Sequence, residues 1–131
     1  MTGKKVLVVD DEIHIVHVVA IKLRNNGYEV VTADNGADAY DLACSEAPDI
    51  IVTDYQMPVM SGLEFLEKLR GCDRTAGIPA VLLTARSFAI TDEQRRTLKI
   101  AACLSKPFSP KELLANIEDI LYSSTVTQQT A

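Results

Sequence analysis

The sequence predicts a three-layer α/β/α domain with a mostly parallel sheet. Five short apolar runs, Val6-Val9, Tyr28-Thr32, Ile50-Thr53, Ala80-Leu83 and Ala102-Leu104, alternate with longer segments of helical period. The first and fourth runs are rich in Val and Leu without polar alternation, which is the pattern of strands covered on both faces. Strand and helix units repeated in this order require right-handed crossovers, and these place helices on both sides of one sheet.

Each element has its own warrant. After Val6-Val9, Ile13, Val16, Ala20 and Leu23 recur at helical spacing, and Asn26-Gly27 supplies a stop. Ala39, Leu42 and Ala43 mark the helix after the second strand, and Leu63, Leu66 and Leu69 the helix after the third. The stretches "SGLE" (Ser61 to Glu64) and "SPKE" (Ser109 to Glu112) read as capping boxes, the second with Pro110 at the first helical position. The last helix runs through Leu113, Leu114, Ile117, Ile120 and Leu121. Beyond it, "YSSTVTQQTA" is polar and lacks an apolar period, so we expect a domain over residues 4–122 and a polar tail or linker over 123–131.

Composition narrows the function classes. A chain of 131 residues with a net charge of -5 fits one domain and disfavours direct nucleic-acid binding, which needs a basic surface. Cys44, Cys72 and Cys103 are odd in number and form no CxxC pair, so they read as packing residues in a reducing compartment. The apolar run before Asp10 is too short for a signal peptide, and no stretch approaches the ~20 apolar residues of a membrane span. The expectation is a cytoplasmic, soluble protein.

In doubly wound sheets the ligand site lies beyond the carboxyl ends of the strands. Asp10, Asp11 and Glu12 fall at the end of the first strand, Asp54 at the end of the third, Thr84 at the end of the fourth, and Lys106 after the fifth. Asp10, Asp11 and Asp54 repel one another unless a cation sits among them, and hard oxygen ligands with room for waters suit Mg²⁺. A metal, a carboxylate nucleophile, a lysine and a hydroxyl are the parts of a phosphoryl-transfer site, in which Asp54 would become an aspartyl phosphate. Each residue also has a plainer reading: acids complement a helix N-terminus, and Lys106-Pro107 forms a turn. His14 and His17 have metal-ligand spacing, but nothing near them in sequence completes a site, and a polar helix face accounts for them.

The stretches "VLVVDDE", "IIVTDYQMPVMSGLEFL", "VLLTAR" and "CLSKPF" together resemble the receiver domain of response regulators in two-component signalling, over about Lys4 to Tyr122. The resemblance implies a doubly wound (βα)₅ flavodoxin-like fold of strand order 2-1-3-4-5. It implies that Asp54 is the phosphoacceptor and a histidine kinase or phosphotransfer protein the donor. Asp11 and Asp54 would bind Mg²⁺ directly, Asp10 through water and Gln56 through its backbone carbonyl. Thr84 and Lys106 would engage the phosphoryl group, with the bond from Lys106 to Pro107 cis. The readout would be the face of the fourth helix, fifth strand and fifth helix, roughly Phe88 to Tyr122, which contacts a downstream protein or pairs two copies. Such a chain is a regulator and not an enzyme, beyond phosphorylating itself from small phosphodonors and dephosphorylating itself.

One position departs from the family. Cys103 stands where an aromatic residue usually precedes the lysine by three, so the usual aromatic coupling is in question and Phe88 is a candidate to replace it. Gln56 and Arg86 occupy the positions that tune phosphoryl lifetime in relatives. Two other readings stay open. An aspartate-nucleophile phosphatase of the haloacid-dehalogenase type wants a DxD pattern after the first strand, where this chain has "DDEIH". A receiver-like interaction module without phosphorylation has no need to hold repelling carboxylates together.

Overall fold

The structure, a computed structural model, describes residues 3–85 and 90–130, with 123–130 as backbone alone. Five parallel strands in the order β2-β1-β3-β4-β5 form the middle layer. They are β1 (Lys5–Val9), β2 (Glu29–Ala33), β3 (Ile50–Asp54), β4 (Ala80–Thr84) and β5 (Ile100–Ser105). The helices α1 (Ile13–Arg24), α2 (Gly36–Glu46), α3 (Gly62–Arg70) and α4 (Asp92–Thr97) connect them, and α5 (Pro110–Thr130) follows β5.

The two-sided burial expected of the central strands is realised residue by residue, because successive side chains point to opposite faces. Val6, Val8, Ile50, Val52, Val81 and Leu83 pack with Val19 and Leu23 of α1 and with Leu113 and Ile117 of α5. Leu7, Val9, Ile51, Ala80 and Leu82 pack on the other face with Ala39 and Ala43 of α2 and with Phe65, Leu66 and Leu69 of α3. Each large side chain removed from water in these clusters contributes about 1.5–3 kcal/mol. They hold the sheet rigid beneath the loops at its carboxyl edge.

Helix starts follow local chemistry. The Ser61 hydroxyl accepts from the Glu64 N–H, and the Glu64 carboxylate accepts from the Ser61 N–H, completing the box read from "SGLE". Ser109 Oγ accepts from the Glu112 N–H at 2.9 Å. A further box, Thr91 with Gln94, begins α4 and carries the same signature in "TDEQ"; no apolar period marks this six-residue helix because it buries none of its residues.

Three boundaries differ from the sequence reading. Tyr28 lies before β2 and packs into the core on the α1 and α5 side. Strand β5 begins at Ile100, before the apolar run; it is an edge strand paired only with β4, and its register shifts opposite Ala80 and Val81. Helix α5 continues to Thr130, well past Leu121 where the apolar stripe ends, so the segment expected as a tail begins inside a helix. Polar residues extend a helix already nucleated, since propagation adds one hydrogen bond per residue ordered. Among the described residues no helix is long and apolar enough to cross a membrane.

Candidate functional site

The sheet register builds the site. Strands β1 and β3 pair up to Val9 opposite Thr53, so one step further brings Asp10 beside Asp54. The Tyr55 N–H donates to the Leu83 carbonyl at 2.7 Å, and the Lys106 N–H to the Thr84 carbonyl at 2.6 Å. These bonds tie the ends of β3, β4 and β5 together. Asp10, Asp11, Asp54, Thr84 and Lys106 thus converge on one edge, as the strand ends predicted.

The three carboxylates form a cluster with the spacing of metal ligands. Ligand oxygens of Asp10, Asp11 and Asp54 lie within 4.8 Å of one another, and among the described residues no other group of three or more acidic, histidine or cysteine side chains is so arranged. Asp10 is fully buried, Asp54 nearly so, and Asp11 exposed. One oxygen of Asp10 accepts from the Glu12 N–H at 2.9 Å, and the other, Oδ2, is buried and faces the Lys106 ammonium. One lysine offsets only part of the charge of Asp10, Asp11, Glu12 and Asp54, so the cluster favours a further cation, and an all-oxygen donor set with one solvent-facing member fits a hard divalent ion. Gln56 is exposed and lines the same cleft of about 450 Å³, together with Asp11, Asp54, Met57 and Lys106.

Lys106 supplies positive charge. Its Nζ lies 3.0 Å from Asp10 Oδ2, 3.0 Å from Glu12 Oε1 and 3.3 Å from Asp54 Oδ1. Burial works against its charge, but hydrogen bonds to Asp10 and Glu12 and the charges of Asp10 and Asp54 more than offset this, so its pKa is raised. Burial pushes the Asp10 carboxyl upward against the Glu12 N–H and Lys106, which pull it down. Asp54 is pushed up to about 6, first by burial and then by the Asp10 charge, with Lys106 opposing. It therefore remains mostly ionised at neutral pH.

Glu12 as a lysine partner is the residue that sequence reasoning left out of the site. It was visible only as the third acid of "DDE", and its role depends on Lys106, distant in the chain. Thr84 is buried at the end of β4. The Lys106–Pro107 bond is cis, as the resemblance implies. Cys103 is half-buried on β5 opposite Leu82, packed against the cluster that holds α2 and α3, and burial pushes its thiol up. His14 and His17 are exposed on α1. Arg86 and Phe88 lie outside the described residues.

The loop from Asp54 to α3 is held in a specific shape. The Gly62 N–H donates to the Tyr55 carbonyl, and the Met60 N–H to the Pro58 carbonyl, each at 2.7 Å. The second bond closes a three-residue turn centred on Val59, whose φ of 72° lies in the left-handed region. A β-branched residue there is strained, and Val59 is fully exposed, so packing returns nothing. Asn tolerates this conformation. Val59→Asn is accordingly expected to raise unfolding stability by about 1 kcal/mol, read by thermal or denaturant unfolding; an unchanged or lower stability would show that the turn carries no strain.

Comparison with known proteins agrees with this geometry. The family model described as the response regulator receiver domain matches residues 6–118. The chain is 36% identical over 123 residues to the phosphate regulon transcriptional regulatory protein PhoB of Pseudomonas aeruginosa, covering 92% of this chain and 53% of that protein. It is 37% identical over 124 residues to the alkaline phosphatase synthesis transcriptional regulatory protein PhoP of Bacillus subtilis, covering 95% and 51%. The chain thus spans about half the length of the curated relatives it matches. Among solved structures, the chemotaxis response regulator CheY4 of Vibrio cholerae superposes with a TM-score of 0.83 at 34% identity, over 91% of this chain and 99% of that one. By motif order, sheet topology and site geometry, the chain belongs to the response regulator receiver family.

Proposed function

We propose that Asp54 accepts a phosphoryl group from the phosphohistidine of a histidine kinase or phosphotransfer protein. The observation that carries this reading is the meeting of Asp54 with Asp10, Asp11 and Lys106 in an open cleft at the sheet edge. An Asp54 carboxylate oxygen attacks phosphorus, the donor P–N bond breaks, and its electron pair stays on the imidazole. Asp11, Asp54 and the Gln56 backbone carbonyl, with Asp10 through water, would hold Mg²⁺, which would supply charge neutralisation for the transferred oxygens. Lys106 Nζ already lies within reach of the acceptor oxygen, and Thr84 contributes a hydroxyl donor at the neighbouring strand end. Its partners on the carboxylates give Lys106 a charge-balanced resting place, and the new phosphoryl oxygens compete for it.

The output is a population shift of the α4, β5 and α5 face toward a conformer that binds a protein partner or a second copy of the chain. The chain acts as a regulator without catalytic turnover on another substrate. The test is the intact mass of the protein after incubation with acetyl phosphate and Mg²⁺, followed by borohydride reduction, which converts an aspartyl phosphate to homoserine. One phosphoryl group is expected, absent when EDTA replaces Mg²⁺, with homoserine at position 54. Modification elsewhere, or none from either acetyl phosphate or a phosphorylated kinase, would overturn the reading in favour of a non-phosphorylated module.

A further inference from the structure

Away from the acidic cleft, the last residue of α3 reaches the base of α4. Arg70 is half-buried, and among the described residues no carboxylate pairs with it. Its guanidinium donates to three carbonyls instead. The Nε and Nη2 groups both donate to the Leu98 carbonyl, at 2.9 and 2.7 Å. The Nη1 group donates to the Thr75 and Ala76 carbonyls, at 2.9 and 3.2 Å. Leu98 caps α4, and its side chain is buried in the cluster that holds Phe65, Leu66 and Leu69 of α3. The next residue, Lys99, has a φ of 55°, and its carbonyl accepts from the Ala80 N–H at the start of β4. Because α4 buries none of its six residues, its position depends on this junction.

The other end of α3 is fixed to the acceptor. The Gly62 N–H donates to the Tyr55 carbonyl, and Gly62 lies so close to the Asp54 carbonyl that a Cβ would collide with it. Between the two ends Phe65, Leu66 and Leu69 are fully buried, so this nine-residue helix, about 13 Å long, is held as one piece. We infer that α3 is a rigid link between the acceptor and the readout face, and that Arg70 is the positioning residue that passes a displacement at Asp54 to the junction of α4 with β5. This rests on the phosphoacceptor reading of Asp54.

The physical steps are short. A phosphoryl group brings about -1.5 to -2 charges and new acceptor oxygens to the end of β3, beside the loop that leads into α3. The contact of Gly62 with the Asp54 carbonyl leaves no slack, so the start of α3 follows the acceptor backbone. At the far end, the bonds from Nη1 tie the guanidinium to the loop directly after α3, so the fork moves with the helix and does not swing back. A packed helix that shifts by about 1–2 Å either draws the Leu98 carbonyl with it or breaks both bonds, because hydrogen bonds fail beyond about 3.5 Å. In both cases the attachment of α4 changes. A lysine at position 70 has no fork with which to hold two sites at once.

The experiment records amide resonances of the full chain with and without beryllofluoride and Mg²⁺, which mimic the phosphoryl group, and reads uptake from acetyl phosphate by intact mass in parallel. Wild type is expected to shift at Leu98, Lys99 and Ile100 as well as in the acceptor loop. Arg70→Met keeps the stem and loses the donors; it should still gain one phosphoryl group and shift in the acceptor loop, while its change at Leu98 to Ile100 shrinks by about three-fold or more. Ile117→Val, which loosens the core on the opposite face of the sheet, should keep the full change at the junction and so separates coupling from lost stability. If Arg70→Met does not fold, Arg70→Lys is read in the same way. Wild-type shifts confined to the acceptor loop, or a full junction shift in the Arg70 variant, would overturn the inference. A wild-type chain with neither mass gain nor any shift would refute the phosphoacceptor reading itself, and the inference would fall with it.

Discussion

An Asp54→Asn variant is expected to take up no phosphoryl group and yet, in metal-free buffer at neutral pH, to unfold at a higher temperature than the wild type. Loss of uptake follows from loss of the nucleophile, since an amide oxygen does not attack acetyl phosphate. The gain in stability follows from the electrostatics of the cleft. Asp54 is pushed to about 6 by burial and by the Asp10 charge, against a reference of 3.8, so the folded chain binds that proton more tightly than the unfolded one. A group raised in this way contributes stability that is complete below the unfolded pKa and is lost as pH rises through the folded pKa. Wild type and variant should therefore be nearly equally stable at pH 3.5–4 and diverge through about pH 6, the variant ahead by about 1–2 kcal/mol at pH 7.5 after allowance for relaxation and water in the cleft. Asn preserves the volume of the side chain, and Lys106 keeps Asp10 and Glu12 as partners. Mg²⁺ should reverse the order, raising the melting temperature of the wild type by ligand linkage and that of the variant much less. Chemical denaturation across this pH range, with and without Mg²⁺, checks each limb. A variant less stable than wild type at every pH would mean that Lys106 already compensates the cluster in full.

The site was legible because its chemistry sits at strand ends, where parallel topology converts sequence position into spatial position. Asp54 ends β3 and Thr84 ends β4, so knowing the strands was enough to bring them to one edge. The acceptor loop was legible as a motif, but its strain was not: a positive φ at Val59 depends on a hydrogen bond that skips over it, and Val carries no turn signal. Glu12 needed the location of Lys106, which is not a property of spacing. The length of β5 was underestimated because an edge strand alternates burial weakly, and the reach of α5 because hydrogen bonding carries a helix beyond its apolar stripe.

Gly62→Ala is expected to be more damaging than the same change at Gly36 or Gly77. Gly62 begins α3 and sits against the backbone at the end of β3. A Cβ there would run into the Asp54 carbonyl oxygen, with the Asp54 carbonyl carbon at 3.1 Å and the Tyr55 Cα at 3.2 Å. These are backbone atoms of the central sheet, already fixed by the Tyr55 N–H bond to Leu83 and by the Gly62 N–H bond to Tyr55. The helix must move away, and in doing so it strains the capping box at Ser61 and lifts Phe65 and Leu66 from the core. Overpacking of this kind costs about 2–3 kcal/mol. It also displaces the loop that carries Gln56 and orients the acceptor, so uptake from acetyl phosphate should slow by about ten-fold or more, since a shift of order 1 Å in a reacting group costs up to ~10²-fold. Gly77→Ala is the control: nothing lies within 4 Å of its Cβ position, and it should be neutral or slightly stabilising. Gly36→Ala falls between them, because the nearest atom to its Cβ is the Met60 sulfur at 2.6 Å, which a flexible side chain can withdraw. An order of Gly62, Gly36 and Gly77 in decreasing loss, measured by urea unfolding, tests whether backbone proximity behind the acceptor sets the cost. Equal losses at the three positions would instead assign it to glycine's conformational freedom, and the slower uptake in Gly62→Ala would then have no structural basis in the loop.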